Sequence, residues 1–362
     1  MSRLPATALL TLAILGSLGL VRETSSNSGR VSTGQGQPRS PRILVLYDLE
    51  GASGVLSGRL MDPERPDSFA IGRESLISDV KVTVDALLEA GASTVDVLNT
   101  HGSLDPALVP GDRLSARVRV RTRADVNNQV TYHPDAAEAL RADYDAVVAI
   151  GMHTKPFGGG FSPHTLGRGL SPYINGRTLT ESELVGYSFG TVNIPVILVS
   201  GDDKLQRDLA ESMPWVEYVA VKRSVSPDSV EGLPQDEARS RLRLGAQRAV
   251  ANLSRMRPMK LTAPIRAGLL ATFPNDLPMG LKNGSLPGIQ ATGDTVWFIA
   301  SDYRASWMGI RVLMTLAQAR NASRSLDFIR QRGQAVAALR ELADSTSAEW
   351  RRVESGGSGR PR

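Results

Sequence analysis

Ile43-Leu44-Val45-Leu46-Tyr47-Asp48-Leu49-Glu50-Gly51 is the stretch on which the reading of this 362-residue chain turns. Five apolar residues in succession read as a strand buried on both faces, the kind found in parallel sheets. The run ends in two carboxylates one residue apart. Residues i and i+2 of a strand point to the same side, so Asp48 and Glu50 crowd two negative charges at one strand tip. That costs free energy unless a cation is held there. A divalent metal is the candidate, and the rest of the chain can be searched for its other ligands.

Outward from this strand, strands and helices alternate. Ser75 to Ala90 carries apolar residues at Leu76, Val80, Val84, Leu87 and Leu88, a helical period stopped by Gly91. Strands are expected at 94–98, 116–120, 146–150 and 194–199, and helices at 135–142 and 181–189. Asn175-Gly176 marks a two-residue hairpin turn. Such alternation predicts an α/β fold, a largely parallel sheet with helices on both faces, over residues 42–200. A second, smaller α/β domain is expected over 201–322. It would take a helix at 203–212, a strand at 216–221, a long helix at 235–252, a strand at 295–300 and a helix at 305–319. Residues 323–362 are expected to form a terminal helix (326–350) and a disordered Gly- and Arg-rich tail.

The N-terminus has a targeting pattern. Arg3 precedes a largely apolar run from Ala6 to Val21, 16 residues long, which falls short of the ~20 that span a bilayer. Ser17-Leu18-Gly19 offers a small-x-small cleavage site. Residues 1–21 are read as a cleaved signal peptide or, alternatively, an uncleaved anchor, and 22–41 as a disordered linker. The expected location is extracytoplasmic, periplasmic or secreted.

Composition narrows the chemistry. Lys and Arg number 42 against 37 Asp and Glu, a net charge of +5. The basic residues are scattered, without a dense block or interleaved aromatics, so nucleic acid is not an expected partner. Cysteine is absent. That excludes disulfides, thiolate metal sites and a Cys nucleophile, and leaves His, Asp and Glu to hold any metal.

Two of the chain's four histidines fall on predicted strand tips. His101 follows the 94–98 strand and His153 the 146–150 strand. With Asp48 and Glu50 they occupy carboxyl ends of parallel strands, which face one crevice in an open α/β sheet. Two carboxylates and two imidazoles there match a zinc-type N/O site. A bridging carboxylate flanked by His would suit two metals about 3.5–4 Å apart. His164 follows in a loop with Gly158-Gly159-Gly160. His133, before Pro134, is read as a surface or cap-region residue. Asp202-Asp203 is read as a helix N-cap rather than another metal pair. Lys155 is a candidate for a substrate carboxylate against the reading of a solvated loop lysine.

Taken in order, Asp48-Leu49-Glu50-Gly51-Ala52-Ser53-Gly54, Asn99-Thr100-His101-Gly102, Gly151-Met152-His153, His164-Thr165, Tyr173-Ile174-Asn175-Gly176 with Glu181 beyond, and Gly201-Asp202-Asp203 resemble the D-aminopeptidase family. These are the dinuclear zinc peptidases associated with bacterial dipeptide-transport operons. The resemblance runs from about Ile43 to Ala319. It implies two zinc ions per subunit, with Asp48 as bridge, Glu50 and His101 on one ion, and His153 and Glu181 on the other. It implies His164 as the catalytic histidine, and a ring-like homo-oligomer, a decamer. The chain departs from the family pattern at Asn99 and in Glu183-Leu184-Val185-Gly186-Tyr187. Glu183 therefore stands as the alternative to Glu181, and only one of the two should ligate. The activity this implies is a zinc-dependent aminopeptidase hydrolysing short peptides, with D-residues at the N-terminus among the candidates. Alternatives are another two-metal amidase or esterase, and a non-catalytic peptide-binding protein that keeps its metals for structure.

Overall fold

The computed structural model describes residues 39–102, 108–284, 286–332 and 335–356. The leader-like run, nearly all of the linker and the last six residues of the Gly- and Arg-rich tail lie outside these residues; Glu354, expected to open that tail, ends the last helix and is buried. Among the described residues no helix is long and apolar enough to cross a membrane.

In chain order the elements are β1 (Arg42–Tyr47), α1 (Pro66–Glu89), β2 (Thr94–Asn99), β3 (Val118–Arg121), α2 (Pro134–Leu140), β4 (Ala146–Ile150), β5 (Leu170–Ile174), β6 (Arg177–Thr178), α3 (Glu181–Gly190), β7 (Val196–Asp202), α4 (Asp203–Leu209), β8 (Glu217–Ser226), β9 (Ser229–Gly232), α5 (Gln235–Ala251), β10 (Ile265–Ala271), α6 (Met279–Lys282), β11 (Gln290–Thr292), β12 (Thr295–Ala300), α7 (Tyr303–Arg332) and α8 (Ala335–Glu354).

β1 is the keel of a seven-stranded sheet ordered β3-β2-β1-β4-β7-β8-β9, parallel except for the edge strand β9. Its alternate side chains enter two different cores. Ile43, Val45 and Tyr47 pack with Leu76, Val80 and Leu87 of α1 and Leu242 and Ala246 of α5. Leu44 and Leu46 join α2, α3 and the layer beyond, including Leu184, Phe189, Leu269 and Trp307. All five are fully buried, as the unbroken apolar run requires. Chain order reverses between β1 and β4, so the crevice at a topological switch point opens beside the tip of β1.

The Asn-Gly hairpin forms as the sequence predicts, with Asn175 at φ 48° and Gly176 at φ 99°. Its strands belong to a second sheet, β11-β12-β10-β5-β6, in which every pairing is antiparallel. The expected division of the chain near residue 200 is corrected here. Residue 200 falls inside β7, and β8 extends the first sheet instead of starting another domain. β10 pairs with β5 across the expected boundary. The two layers share the core that holds Leu44, Leu46 and Trp307, so neither has an independent interior at which to divide. The sequence reading also misses β10. Its Ile265-Arg266-Ala267-Gly268-Leu269-Leu270-Ala271 run is broken by an exposed Arg266, and Gly268 packs its bare Cα against Val296 and Trp297 of β12.

Candidate active site

The tips of β1, β2 and β4 bring the predicted residues together. β1 and β4 approach closely because two glycines let them. A Cβ on Gly51 would lie 1.9 Å from the carbonyl oxygen of Met152, and one on Gly151, at φ 73°, would lie 2.1 Å from that of Asp48. The gap is closed by hydrogen bonds from Asp48 N to Ile150 O (2.8 Å) and from Gly51 N to Gly151 O (2.7 Å).

Asp48 sits at the centre, buried. Its Oδ1 accepts from Leu49 N at 2.8 Å and lies 2.9 Å from His101 Nδ1. Its Oδ2 lies 3.5 Å from His153 Nε2. The two oxygens thus address two different histidines. Glu50 Oε2 is 3.0 Å from His101 Nδ1. On the other side His153 Nε2 is 3.8 Å from Glu181 Oε1, and the rings of His153 and His164 stack with centroids 4.0 Å apart.

Two groups could therefore each hold a cation, Asp48-Glu50-His101 and His153-His164-Glu181. All six residues named from the sequence are in them. The geometry sets His164 within ligand range of the second group, which the sequence reading did not anticipate for a residue cast as a free catalytic histidine.

The electrostatics carry the mark of a cation site. Burial pushes the Asp48 carboxyl up, yet His101 and His153 hold it well below the usual carboxylate range. Burial opposes charge on His101 and His153 too, but Glu50 and Asp48 carry His101 up to about 11, and Asp48 and Glu181 carry His153 up to about 10. Protons on the imidazoles thus offset buried carboxylates, the role that a metal fills in an N/O site. His153 Nε2 is shut off from solvent and reaches no hydrogen-bond partner, and its Nδ1 is 3.0 Å from the carbonyl of Thr154. A donor–acceptor set of buried carboxylates and imidazoles, with an orphaned ring nitrogen aimed inward, fits zinc.

His164 differs from its neighbours. Burial, reinforced by His153, lowers its pKa. Nδ1 donates to the carbonyl of Ser162 at 2.8 Å, so in the neutral ring Nε2 keeps its lone pair.

Glu181 opens α3 and is oriented from two sides. Leu166 N donates to its Oε1 at 2.7 Å, and the buried Tyr132 hydroxyl donates to its Oε2. The alternative residue, Glu183, is engaged in the cap of the same helix. Glu183 accepts from Thr180 N (2.8 Å) and Thr180 Oγ1 (3.0 Å) and pairs with Arg177, and it belongs to neither candidate ligand group. Asp202 caps α4 through Lys204 N and Leu205 N, as the sequence predicts. His133 caps α2 by accepting from Asp135 N. Lys155 donates to the carbonyl of Thr178 and lies 3.7 Å from Asp208, and it lines neither cavity described next.

Sequence reasoning missed Tyr132 and Lys222. The buried Lys222 ammonium on β8 donates to the carbonyls of Glu50, Ala52 and Val55, fixing the loop that carries Glu50. Nothing in the spacing of a lone lysine in a strand signals that contact, and a tyrosine before His133 reads as core. Two cavities meet at Glu50, His101, His164 and Gly167. One, of about 430 Å³, is walled by Tyr132, Leu166, Trp307 and Met314. The other, of about 1020 Å³, opens between Arg59, Arg168 and Arg351.

A mainly parallel α/β sheet with two adjoining carboxylate–imidazole groups at its switch point defines a protein of the metal-dependent hydrolase class. The chain belongs to the D-aminopeptidase family, whose model matches residues 42–310, and membership places it among hydrolases acting on peptide bonds. It is similar to the D-aminopeptidase of Bacillus subtilis (strain 168), with 25% identity over 279 residues, 76% of this chain and 97% of that relative. Among solved structures it is similar to the Zn-dependent D-aminopeptidase DppA from Bacillus subtilis, described as a self-compartmentalizing protease. The TM-score is 0.64 at 22% identity, covering 76% of this chain and 98% of that one. That likeness shows the fold.

Proposed function

We propose that this protein is a zinc-dependent aminopeptidase for short peptides, working through a dinuclear site in which Asp48 bridges. The observation that carries the reading is the pair of adjoining ligand groups with Asp48 turned toward both, Oδ1 to His101 and Oδ2 to His153. Glu50 and His101 would complete one ion's shell, and His153 and Glu181 the other's.

When bound, two zinc ions would polarise the scissile carbonyl and lower the pKa of a water. The chain's own residues supply the rest. Tyr132 and Leu166 N hold Glu181 in place, and Lys222 holds the Glu50 loop. His164, neutral with Nε2 exposed toward the cluster, takes a proton from the attacking group or attacks the carbonyl itself.

A relative described as self-compartmentalizing favours a homo-oligomer, decameric by resemblance. The Ala6–Val21 run favours an extracytoplasmic enzyme acting on peptides of cell-wall turnover, checked by N-terminal sequencing of the mature protein from cell fractions.

The test is hydrolysis of D-Ala-D-Ala and L-Ala-L-Ala by the purified protein with added zinc, beside the same peptides acetylated at the amine. Cleavage of the free amines alone supports the reading, and the faster isomer sets the stereochemistry. Cleavage of the blocked peptides alone would make this a two-metal amidase.

A further inference from the structure

The smaller cavity holds two charges that the reaction above leaves unused. Apart from the carboxylates and imidazoles of the cluster, its charged lining is Arg123 and Arg311. They come from different elements. Arg123 opens a short 3-10 turn (Arg123–Val126) just after β3, and Arg311 lies on α7 one turn beyond Trp307. Among the described residues neither guanidinium forms an ion pair, and Arg123 Nε is shut off from solvent without an acceptor. Acidic residues are not scarce nearby. Asp125, two positions from Arg123, accepts instead from Thr122 and from Arg121, while Arg121 also takes Asp96 and Asp143. The carboxylates lining the cavity are themselves engaged, Asp48 and Glu50 with His101 and Glu181 with Tyr132.

Two guanidinium groups that line one cavity without an ion pair leave it open to an anionic ligand. The guanidinium fork matches a carboxylate bidentately. The cavity, about 430 Å³, is of small-ligand size, and an extended dipeptide spans roughly 7 Å. The one anionic group such a peptide always carries is its C-terminal carboxylate.

We propose that Arg123 and Arg311 bind the free C-terminal carboxylate of the substrate, which makes the enzyme selective for dipeptides and other very short free-acid peptides. The inference rests on the aminopeptidase reading, in that the N-terminal residue must lie at the cluster. Leu166 and Met314 would then pack on the substrate between its two ends. Chains too long for the cavity would forfeit the carboxylate contact.

The experiment compares Ala-Ala, in the stereochemistry cleaved faster, with its C-terminal amide in the wild type, Arg123→Met, Arg311→Met, Arg311→Lys and Arg168→Met. Charge-assisted hydrogen bonds of this kind predict a wild-type preference for the acid of about 10- to 100-fold in kcat/KM, residing mainly in KM. Arg311→Met and Arg123→Met should each lower kcat/KM for the acid far more than for the amide, drawing the ratio toward one, and Arg311→Lys should restore part of it. Equal cleavage of acid and amide by the wild type would overturn the proposal. So would equal losses on both substrates in the Met variants, or a lost preference confined to Arg168→Met in the neighbouring cavity. Calorimetric binding of the same two peptides to metal-free protein separates the two readings. Acid preference there without any peptidase activity would keep the anion site and sink the aminopeptidase. Peptidase activity with no acid preference in either assay would do the reverse.

Discussion

Gly51 and Gly151 matter as much as the ligands they bring together. A methyl group at either position meets a backbone carbonyl at about 2 Å, which only a shift of the β1 or β4 tip can relieve. Gly51→Ala should cost about 1–3 kcal/mol, the usual range for overpacking, measured by urea unfolding. It should also lower bound zinc, because Asp48 and His153 move apart. His164→Ala should remove turnover while leaving bound zinc near the wild-type level, read by elemental analysis beside the rate. Full turnover in that variant would end the catalytic role, and loss of one metal would make His164 a ligand. A third residue, Asp79, is buried and accepts from Ser53 N and Ser53 Oγ at 2.7 and 2.8 Å. Burial raises its pKa to about 6. The native state then binds a proton that the unfolded chain has released, so this group's contribution to stability falls as pH rises from about 4 to about 6. The full effect is on the order of 3 kcal/mol at 1.36 kcal/mol per pKa unit. The stability of wild type relative to Asp79→Asn, from urea midpoints at pH 5 and 7.5, should be higher at pH 5. An equal difference at both would refute the assignment. At this scale the sequence was informative where a polar residue interrupts an apolar pattern, as with Asp48, Glu50, His101 and His153. It was silent on Tyr132 and Lys222, whose partners lie far off in the chain.

Among the elements, α8 stands out because it lies beyond the family-matched residues and returns to the site. Trp350, Val353 and Glu354 are buried. The Glu354 carboxylate accepts from Phe157 N at 2.7 Å, and Arg168 lies over the Trp350 ring at 4.5 Å. Both contacts grip the 157–168 loop, which carries His164 and holds Phe157, Ser162 and Leu166 at positive φ. Glu354→Ala should speed amide exchange at Phe157 and through this loop while leaving β1 and β4 as protected as in the wild type. Unchanged exchange in the loop would show that α8 does not hold it. The helical period and the apolar strands were legible because each depends on its own neighbours. The start of α1 at Pro66 rather than near Ser75 was not, because its first turns are partly exposed and carry little apolar period.

At the scale of the molecule, α/β alternation predicted the parallel sheet correctly but not the second layer. After β4 the chain leaves the first sheet and β5 pairs with β10, a partner some ninety residues away, and no local pattern records such a choice. α7 also presents Met308, Val312 and Leu316, all exposed and spaced four apart along one stripe. If the protein assembles as its self-compartmentalizing relative does, that stripe is a candidate contact, and Val312→Asp should lower the native mass in light scattering from a multiple of one chain toward a single chain. A wild type that is already monomeric would contradict the assembly. The central claim is the shared bridge, and zinc counted per chain tests it most directly. The wild type should hold two zinc ions, Glu181→Ala about one, and Asp48→Ala close to none. A wild type with no zinc after incubation with the metal, or an Asp48→Ala protein that keeps two, would contradict the account.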